Sequence, residues 1–274
     1  NKIRVLIIGD TAIDHYPDLN IRVLGGCAFN MAWHLSADHE VSLFSPLSDD
    51  TQSDELIQQI RSQRIQFIGP RLKGSIPSQE IELREDGEKI FSPFNHGVLK
   101  QLPNLEIKLD FKNFDIVMGP VHKETLPYFE SFLRDKKDNQ ELFLDFTTLK
   151  EFDYDLDLIS HLHQQSTLMQ FSPAEENQKL VEKIKTIELR NQQVILLTLG
   201  AQGGVLRNSE SLHLFQAPKI EEVKDTTGAG DAFFSTFANY FLNKESLDYC
   251  LQQALMASKL TISRVGSSPL RLDN

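Results

Sequence analysis

Short apolar runs alternate with segments of helical period along most of the chain. Ile3–Ile8, Val41–Phe44, Ile65–Ile68, Asp115–Met118, Glu141–Phe146, Thr167–Phe171 and Val194–Leu199 predict strands. Several are apolar almost throughout, the pattern of strands covered on both faces. Between them, Ala28–Ala37, Asp54–Gln63, Glu124–Asp135 and Ala174–Arg190 carry helical spacing. Strand and helix in alternation predict an α/β fold, a parallel sheet with helices on both sides.

Two segments break the alternation. Ile81–Leu83 and Lys89–Phe91 flank Glu85-Asp86-Gly87-Glu88, and Asp-Gly is a strong hairpin signal. This hairpin lies between two α/β units, so it should project from the main sheet as a lid or as an ordinary surface excursion. Near the C-terminus, Gly204–Arg207 and Ser211–Phe215 read as a second hairpin, followed by helices at about 229–242 and 246–263. Phe233, Phe237 and Phe241 recur every four residues beside Phe234 and Ala238, a broad apolar face that should be buried. No repeat, low-complexity tract or linker interrupts the chain. A single α/β domain over 1–274, with a small lid from about 14–25 and 74–97, is the economical organisation.

Charge narrows the partners. Against 28 Lys and Arg stand 39 Asp and Glu, a formal charge of −11. Such a chain is a poor general binder of nucleic acid or of an anionic membrane surface. Cys27 and Cys250 cannot build a disulfide framework, and no CxxC pair suggests a thiolate zinc site. There is no signal-peptide h-region and no apolar run of ~18 residues. A reduced, cytoplasmic, soluble protein is expected.

The most informative stretch is Asp225-Thr226-Thr227-Gly228-Ala229-Gly230-Asp231, which runs directly into the Phe-rich helix. The first N–H groups of a helix are unpaired and carry partial positive charge. Small residues at Gly228, Ala229 and Gly230 let an anion approach those groups. A phosphoryl group in transfer spreads negative charge over its equatorial oxygens, which such a turn would stabilise. Asp231, in the same turn, could accept the proton of an attacking hydroxyl. Taken alone, the motif also reads as a Gly-rich loop with a first-turn acid.

Three further stretches favour the chemical reading, though each is weak singly. Leu197-Thr198-Leu199-Gly200-Ala201-Gln202-Gly203-Gly204 ends a strand, and its glycines would admit a nucleotide or be a plain turn. Gly25-Gly26-Cys27-Ala28-Phe29-Asn30 leads into a helix, and Asn30 offers a donor and an acceptor to hydroxyls. Gly9-Asp10-Thr11-Ala12-Ile13-Asp14 follows the first strand, and open α/β sheets bind ligands beyond the carboxyl ends of their strands. Asp14 could accept from a diol or be a solvated loop acid.

Together these stretches resemble the ribokinase family of carbohydrate kinases, also called PfkB. Asp-Thr-Thr-Gly-Ala-Gly-Asp-Ala-Phe at 225–233 matches its C-terminal signature. Gly25-Gly26 with Asn30, Ala32 and Leu35 resembles the N-terminal signature. Thr198-Leu199-Gly200 with Gly203 is similar to the nucleotide turn, and Leu260–Gly266 to the last helix and its loop. The resemblance implies a Rossmann-like, mostly parallel sheet with a β-lid. It implies transfer of the ATP γ-phosphoryl group to a substrate hydroxyl, with magnesium. Carried over by position, Asp231 is the base and the 228–230 amides form the anion hole. Asp14, Gly25, Gly26 and Asn30 hold the substrate. Thr198, Gly200, Gly203, Ser172 and Glu175 line the nucleotide site. Glu175 reaches magnesium through water. Asp225 and Thr227, with carbonyls of 264–268, form a monovalent-cation site for potassium. The family's lids often pair in homodimers.

The chain departs from the pattern in two places. Ser172-Pro173-Ala174-Glu175 stands where the family has Asn-x-x-Glu, and Ser48-Asp49-Asp50 lacks the glycine that often precedes its acidic pair. Among substrates, a sugar leads. A nucleoside would use an aromatic platform such as Phe94, Phe29 or Tyr16, and a sugar phosphate would want Arg22, Lys73 or Lys89. An amine-bearing sugar adduct would suit extra carboxylates. A weakly active or non-catalytic sugar-binding relative is the alternative from another class, kept open by Ser172. No GxGxxG follows the first strand, and Walker A and GxSxG are absent. His161-Leu162-His163 lacks the neighbours of a metal site.

Overall fold

The computed structural model describes residues 2–85 and 89–272. Asp86, Gly87 and Glu88, most of the expected hairpin turn, lie outside the described residues. In chain order the elements begin with β1 (Arg4–Ile8), β2 (Ala12–Tyr16), β3 (Ile21–Gly25), α1 (Cys27–Leu35), β4 (Glu40–Ser48), α2 (Thr51–Ser62) and β5 (Ile65–Leu72). Then come β6 (Ser78–Leu83), β7 (Lys89–Phe91), β8 (Ile116–Pro120), α3 (Leu126–Asp135), β9 (Glu141–Asp145), α4 (Ser160–His163) and β10 (Leu168–Phe171). The chain continues through α5 (Gln178–Lys185), β11 (Val194–Thr198), β12 (Gly204–Arg207), β13 (Leu212–Phe215), α6 (Ala229–Leu242) and α7 (Leu247–Ile262).

Nine strands form one sheet in the order β13-β12-β11-β10-β9-β8-β1-β4-β5. It is parallel from β5 to β11, and the β12–β13 hairpin adds an antiparallel edge. Helices on both faces bury these strands, which accounts for their apolar runs. In β1, Val5 and Ile7 enter one hydrophobic cluster with α1 and α6, while Leu6 and Ile8 enter the other with α3. The pleat sends alternate side chains to opposite faces, so one strand serves two cores. The Phe stripe of α6 behaves as its spacing predicts: Phe233, Phe234 and Phe237 are buried, and Phe215 stacks on Phe233.

From β1 the chain moves outward through β4 to β5, then returns to β8 on the opposite flank of β1. The loops after β1 and β8 therefore diverge and open a crevice at the carboxyl edge, where ligands of open α/β sheets bind. A second sheet of four strands, β3-β2-β6-β7, stands beside this edge. The expected hairpin is its β6–β7 pair, with Ile81 opposite Phe91.

Residues 12–25, which include the 14–25 segment expected in the lid, form two strands joined by a tight turn with Asn20 in the left-handed region. One element differs from the sequence expectation. The helix expected over 174–190 is only Gln178–Lys185. The Asn177 side chain accepts from Leu180 N at 3.2 Å, and Asn as a cap starts the helix late. Among the described residues, no helix is long and apolar enough to cross a membrane.

Candidate functional site

The crevice is framed by two helix starts. At the first, Asp10 follows β1 and accepts from Cys27 N and Ala28 N, each at 3.3 Å. Gly26 makes this turn possible: its φ is +98°, and a Cβ there would lie 2.7 Å from the Asp10 carbonyl oxygen. At the second, Gly228 precedes α6 with φ +79°, and a Cβ would lie 2.4 Å from Ser267 Cβ. At Gly230, by contrast, the nearest atom to an added Cβ is Gln170 Nε2 at 4.0 Å. Gly228 is thus demanded by the fold, while Gly230 leaves open space above the first amides of α6.

The two helix starts meet through one hydrogen bond. Asn30 Nδ2 donates to Asp231 Oδ2 at 2.9 Å, and both side chains are buried. Asn30 Oδ1 is buried with no partner among the described residues. Burial pushes the Asp231 carboxyl up to about 7, and the charges of Asp145 and Asp10 add to the rise; the Asn30 and Cys27 hydrogen bonds oppose it. Asp14, on β2, is pushed up to about 8 by burial and by the charges of Asp10 and Asp225, against the pull of Lys89. Gly25 sits directly against it: a Cβ there would lie 2.3 Å from Asp14 Oδ2. The expected substrate residues Asp14, Gly25, Gly26 and Asn30 and the acid Asp231 therefore belong to one neighbourhood.

Thr198, Ser172, Glu175, Gly200 and Gly203 gather at the ends of β10 and β11. Ser172 Oγ and Thr198 Oγ1 are 2.5 Å apart. Glu175 Oε2 accepts from Gln202 Nε2 at 2.7 Å, and its Oε1 lies 3.6 Å from where a Gly200 Cβ would stand. Gly203 serves the hairpin, since a Cβ would fall 2.0 Å from the Phe215 carbonyl oxygen.

Asp225 has a task the sequence did not suggest. Its Oδ1 accepts from Thr227 N at 2.9 Å and Thr227 Oγ1 at 2.6 Å. Its Oδ2 accepts from Tyr16 OH at 2.5 Å and Gly266 N at 2.8 Å. The carboxylate is completely buried and ties the α6 turn, the second sheet and the C-terminal loop together. These bonds engage Asp225 and Thr227, the two side chains expected to contribute to a monovalent-cation site. Asp50, of the expected acidic pair, caps α2 by accepting from Ser53 N at 2.9 Å.

Several residues were missed. Gln170 Nε2 donates to Gly230 O and to Asp145 Oδ2, both at 3.1 Å, bracing the turn from below. Its signal was present: an amide inside the apolar run Leu168-Met169-Gln170-Phe171 is an expensive choice unless it is used. Asp10 and Asp145 stand at strand carboxyl ends, the edge where function is expected. His122, just past β8, holds Glu151 Oε2 at 2.5 Å through Nδ1. Burial lowers its pKa, but the Glu151 bond and the charges of Asp10 and Glu151 outweigh burial and raise it to about 9. Lys89 Nζ, on β7, lies 4.9 Å from the centre of the Phe91 ring, and burial lowers its pKa against the pull of Asp225, Asp231 and Asp14. His122 had no local sequence signature, and Lys89 is legible in the sequence only as a cation for a sugar phosphate.

A Rossmann-like sheet, a helix start behind Gly228 and a buried acid beside it fit the class that the comparisons show, a phosphotransferase with an alcohol group as acceptor. Residues 123–273 match the model of the pfkB family carbohydrate kinases, and the chain belongs to that family. It is 24% identical over 281 residues to fructosamine kinase FrlD of Bacillus subtilis, covering 99% of this chain and 96% of the relative. It is 25% identical over 266 residues to fructoselysine 6-kinase of Escherichia coli K12, covering 95% and 97%. Adenosine kinase from Sinorhizobium meliloti superposes with a TM-score of 0.78 at 17% identity, over 98% of this chain and 97% of that one. Ribokinase from Thermotoga maritima superposes with a TM-score of 0.70 at 17% identity, over 98% and 96%. The ribokinase-like fold expected from the motifs is the fold observed.

Proposed function

We propose that the chain transfers the γ-phosphoryl group of ATP to a hydroxyl of an amine-bearing ketose of the fructosamine type, with Asp231 as the base. The observation that carries the reading is the buried Asn30–Asp231 pair at the open start of α6. The acceptor hydroxyl is held between Asp14 and the unpaired Asn30 Oδ1, next to Asp231. Asp231 takes its proton as oxygen attacks, and the 228–230 amides receive the transferring group. Thr198, Ser172 and Gly200 line the nucleotide side. Magnesium, for which Glu175 Oε1 is available through water, would neutralise phosphate charge. The second sheet acts as the lid, excluding water as it closes. Leu19, Ile90 and Phe91 stand exposed on it and suit a homodimer through the lid. Two free cysteines fit a reducing, cytoplasmic setting.

The charge of the crevice supports an amine in the substrate. Asp10, Asp14, Asp145 and Asp231 cluster there, beside Lys89 and a His122 already engaged by Glu151. Burial and mutual repulsion hold protons on Asp14 and Asp231, and a protonated amine bound among them favours their charged forms, which a neutral sugar does not. The fructosamine and fructoselysine kinases among the relatives point the same way. Purified protein with ATP should therefore phosphorylate fructosyl-amines with kcat/KM at least tenfold above fructose, ribose or adenosine. Equal or better turnover of adenosine or ribose would overturn the amine assignment and leave the kinase. A second outcome is specific to Asp14. Gly25→Ala pushes against Asp14 Oδ2 and should raise KM for the sugar several-fold, with KM for ATP unchanged; unchanged sugar KM would remove Asp14 from substrate binding.

A further inference from the structure

Behind the expected substrate residues lies a donor set of another kind. A carboxylate oxygen of Asp10, the Cys27 sulfur and a ring nitrogen of His122 all lie within 4.8 Å of one another. The three come from the ends of regular elements: the second residue after β1, the first residue of α1 and the loop just past β8. None of them carries a step of the phosphoryl transfer, although Asp10 belongs to the acidic group of the crevice. Oxygen, sulfur and imidazole nitrogen together are a set that favours zinc over magnesium, which takes oxygen.

His122 carries a second, independent indication. Its Nδ1 is bonded to Glu151 Oε2 at 2.5 Å, which leaves Nε2 as the nitrogen for an ion. A carboxylate behind the far nitrogen is the arrangement that orients and strengthens metal-binding histidines. Asp10 is likewise held, by Cys27 N and Ala28 N. Zinc bonds of about 2.0–2.3 Å hold their ligand atoms roughly 3.5 Å apart, so side-chain rotations of about 1 Å close the set. Asp10 and a Cys27 thiolate supply two negative charges, matching the ion, and binding releases the thiol proton. Three protein ligands leave a fourth position for water, as in open zinc sites.

We propose that Asp10, Cys27 and His122, with Glu151 behind His122, form a zinc site on the floor of the crevice. The Cys27 thiol is a hydrogen-bond neighbour of the Asp231 carboxyl, so an ion held here crowds the place proposed above for the acceptor hydroxyl. Zinc would then inhibit in competition with the sugar, a consequence that rests on the function proposed above; the binding itself does not.

The test uses the full chain and zinc chloride or cobalt chloride alone. Equilibrium dialysis should give one zinc per chain, and the cobalt form should show a thiolate-to-metal charge-transfer band in the near ultraviolet. Cys27→Ser should abolish the band and the stoichiometric site while keeping the wild-type circular dichroism spectrum. Glu151→Gln should weaken zinc binding by about 10–100-fold. Sub-stoichiometric zinc, a cobalt spectrum without the thiolate band, or a Cys27→Ser protein that binds as tightly would each overturn the site. Stoichiometric zinc that leaves the sugar KM untouched would keep the site and overturn the placing of the acceptor hydroxyl beside Asp231.

Discussion

Asp231→Asn should lower kcat by at least ~10²-fold and at the same time raise the melting temperature. The first effect follows from loss of a positioned base, which contributes 10²–10⁴-fold. The second follows from burial. The carboxyl shifts from 3.8 to about 7 on folding. Below about pH 4 it is protonated in both states. Between about 4 and 7 the folded chain keeps the proton and the unfolded chain releases it, so stability falls as pH rises through that window. Above about 7 the loss is complete. At roughly 1.4 kcal/mol per unit, the ionised group costs the fold on the order of 4 kcal/mol. Asn keeps the hydrogen bond from Asn30, through its amide oxygen, without the charge. Differential scanning calorimetry at pH 5 and pH 8 should therefore show a gain for the variant that is larger at pH 8. A purely structural Asp231 would give the opposite sign, a less stable variant.

The second large effect is expected at Asp225. Truncation to Ala strands the Tyr16 hydroxyl, the Gly266 N–H and both Thr227 donors in a buried place. Unsatisfied buried donors cost about 1–3 kcal/mol each, and water entering the gap offsets part, so a loss of about 3–5 kcal/mol is expected. In a chain of this size that lowers Tm by roughly 10 °C. Activity should fall with it even well below the melting point, because the same bonds aim the 228–230 turn and anchor β2 beside it. Tyr16→Phe removes one donor instead of the acceptor and should be far milder. Urea titration of the three proteins reads the ranking; equal stability of Asp225→Ala and wild type would refute the clasp.

The sequence was readable where local patterning and function agreed. The buried strands announced themselves as apolar runs because both faces are covered, and α6 through its Phe spacing. The 225–231 motif was legible because phosphoryl chemistry needs small residues at a helix start. The second sheet was only half legible. β6 and β7 carried an Asp-Gly turn, but β2 is five residues in which Asp14 and Tyr16 turn inward, so it carried no strand signal of its own. The partners of Asp225 were beyond local reading: Tyr16 is 209 positions away and Gly266 is 41. His122 and Glu151 meet only because β8 and the loop after β9 end at one edge. Polar residues at strand carboxyl ends, and Gln170 inside an apolar strand, were the signals available for the remainder.

The central claim is that the Asp231 carboxylate removes the acceptor's proton. It is tested most directly by the pH dependence of kcat/KM for the sugar, measured from pH 5 to 9 at saturating ATP. The wild-type value should fall about tenfold per unit below about pH 7, as the base becomes protonated, with Asp14, pushed up to about 8, adding a separate step above it. In Asp231→Asn the limb below about pH 7 should vanish and the remaining rate should be at least ~10²-fold lower. An Asp231→Asn protein that keeps both the rate and the acid limb would contradict the account.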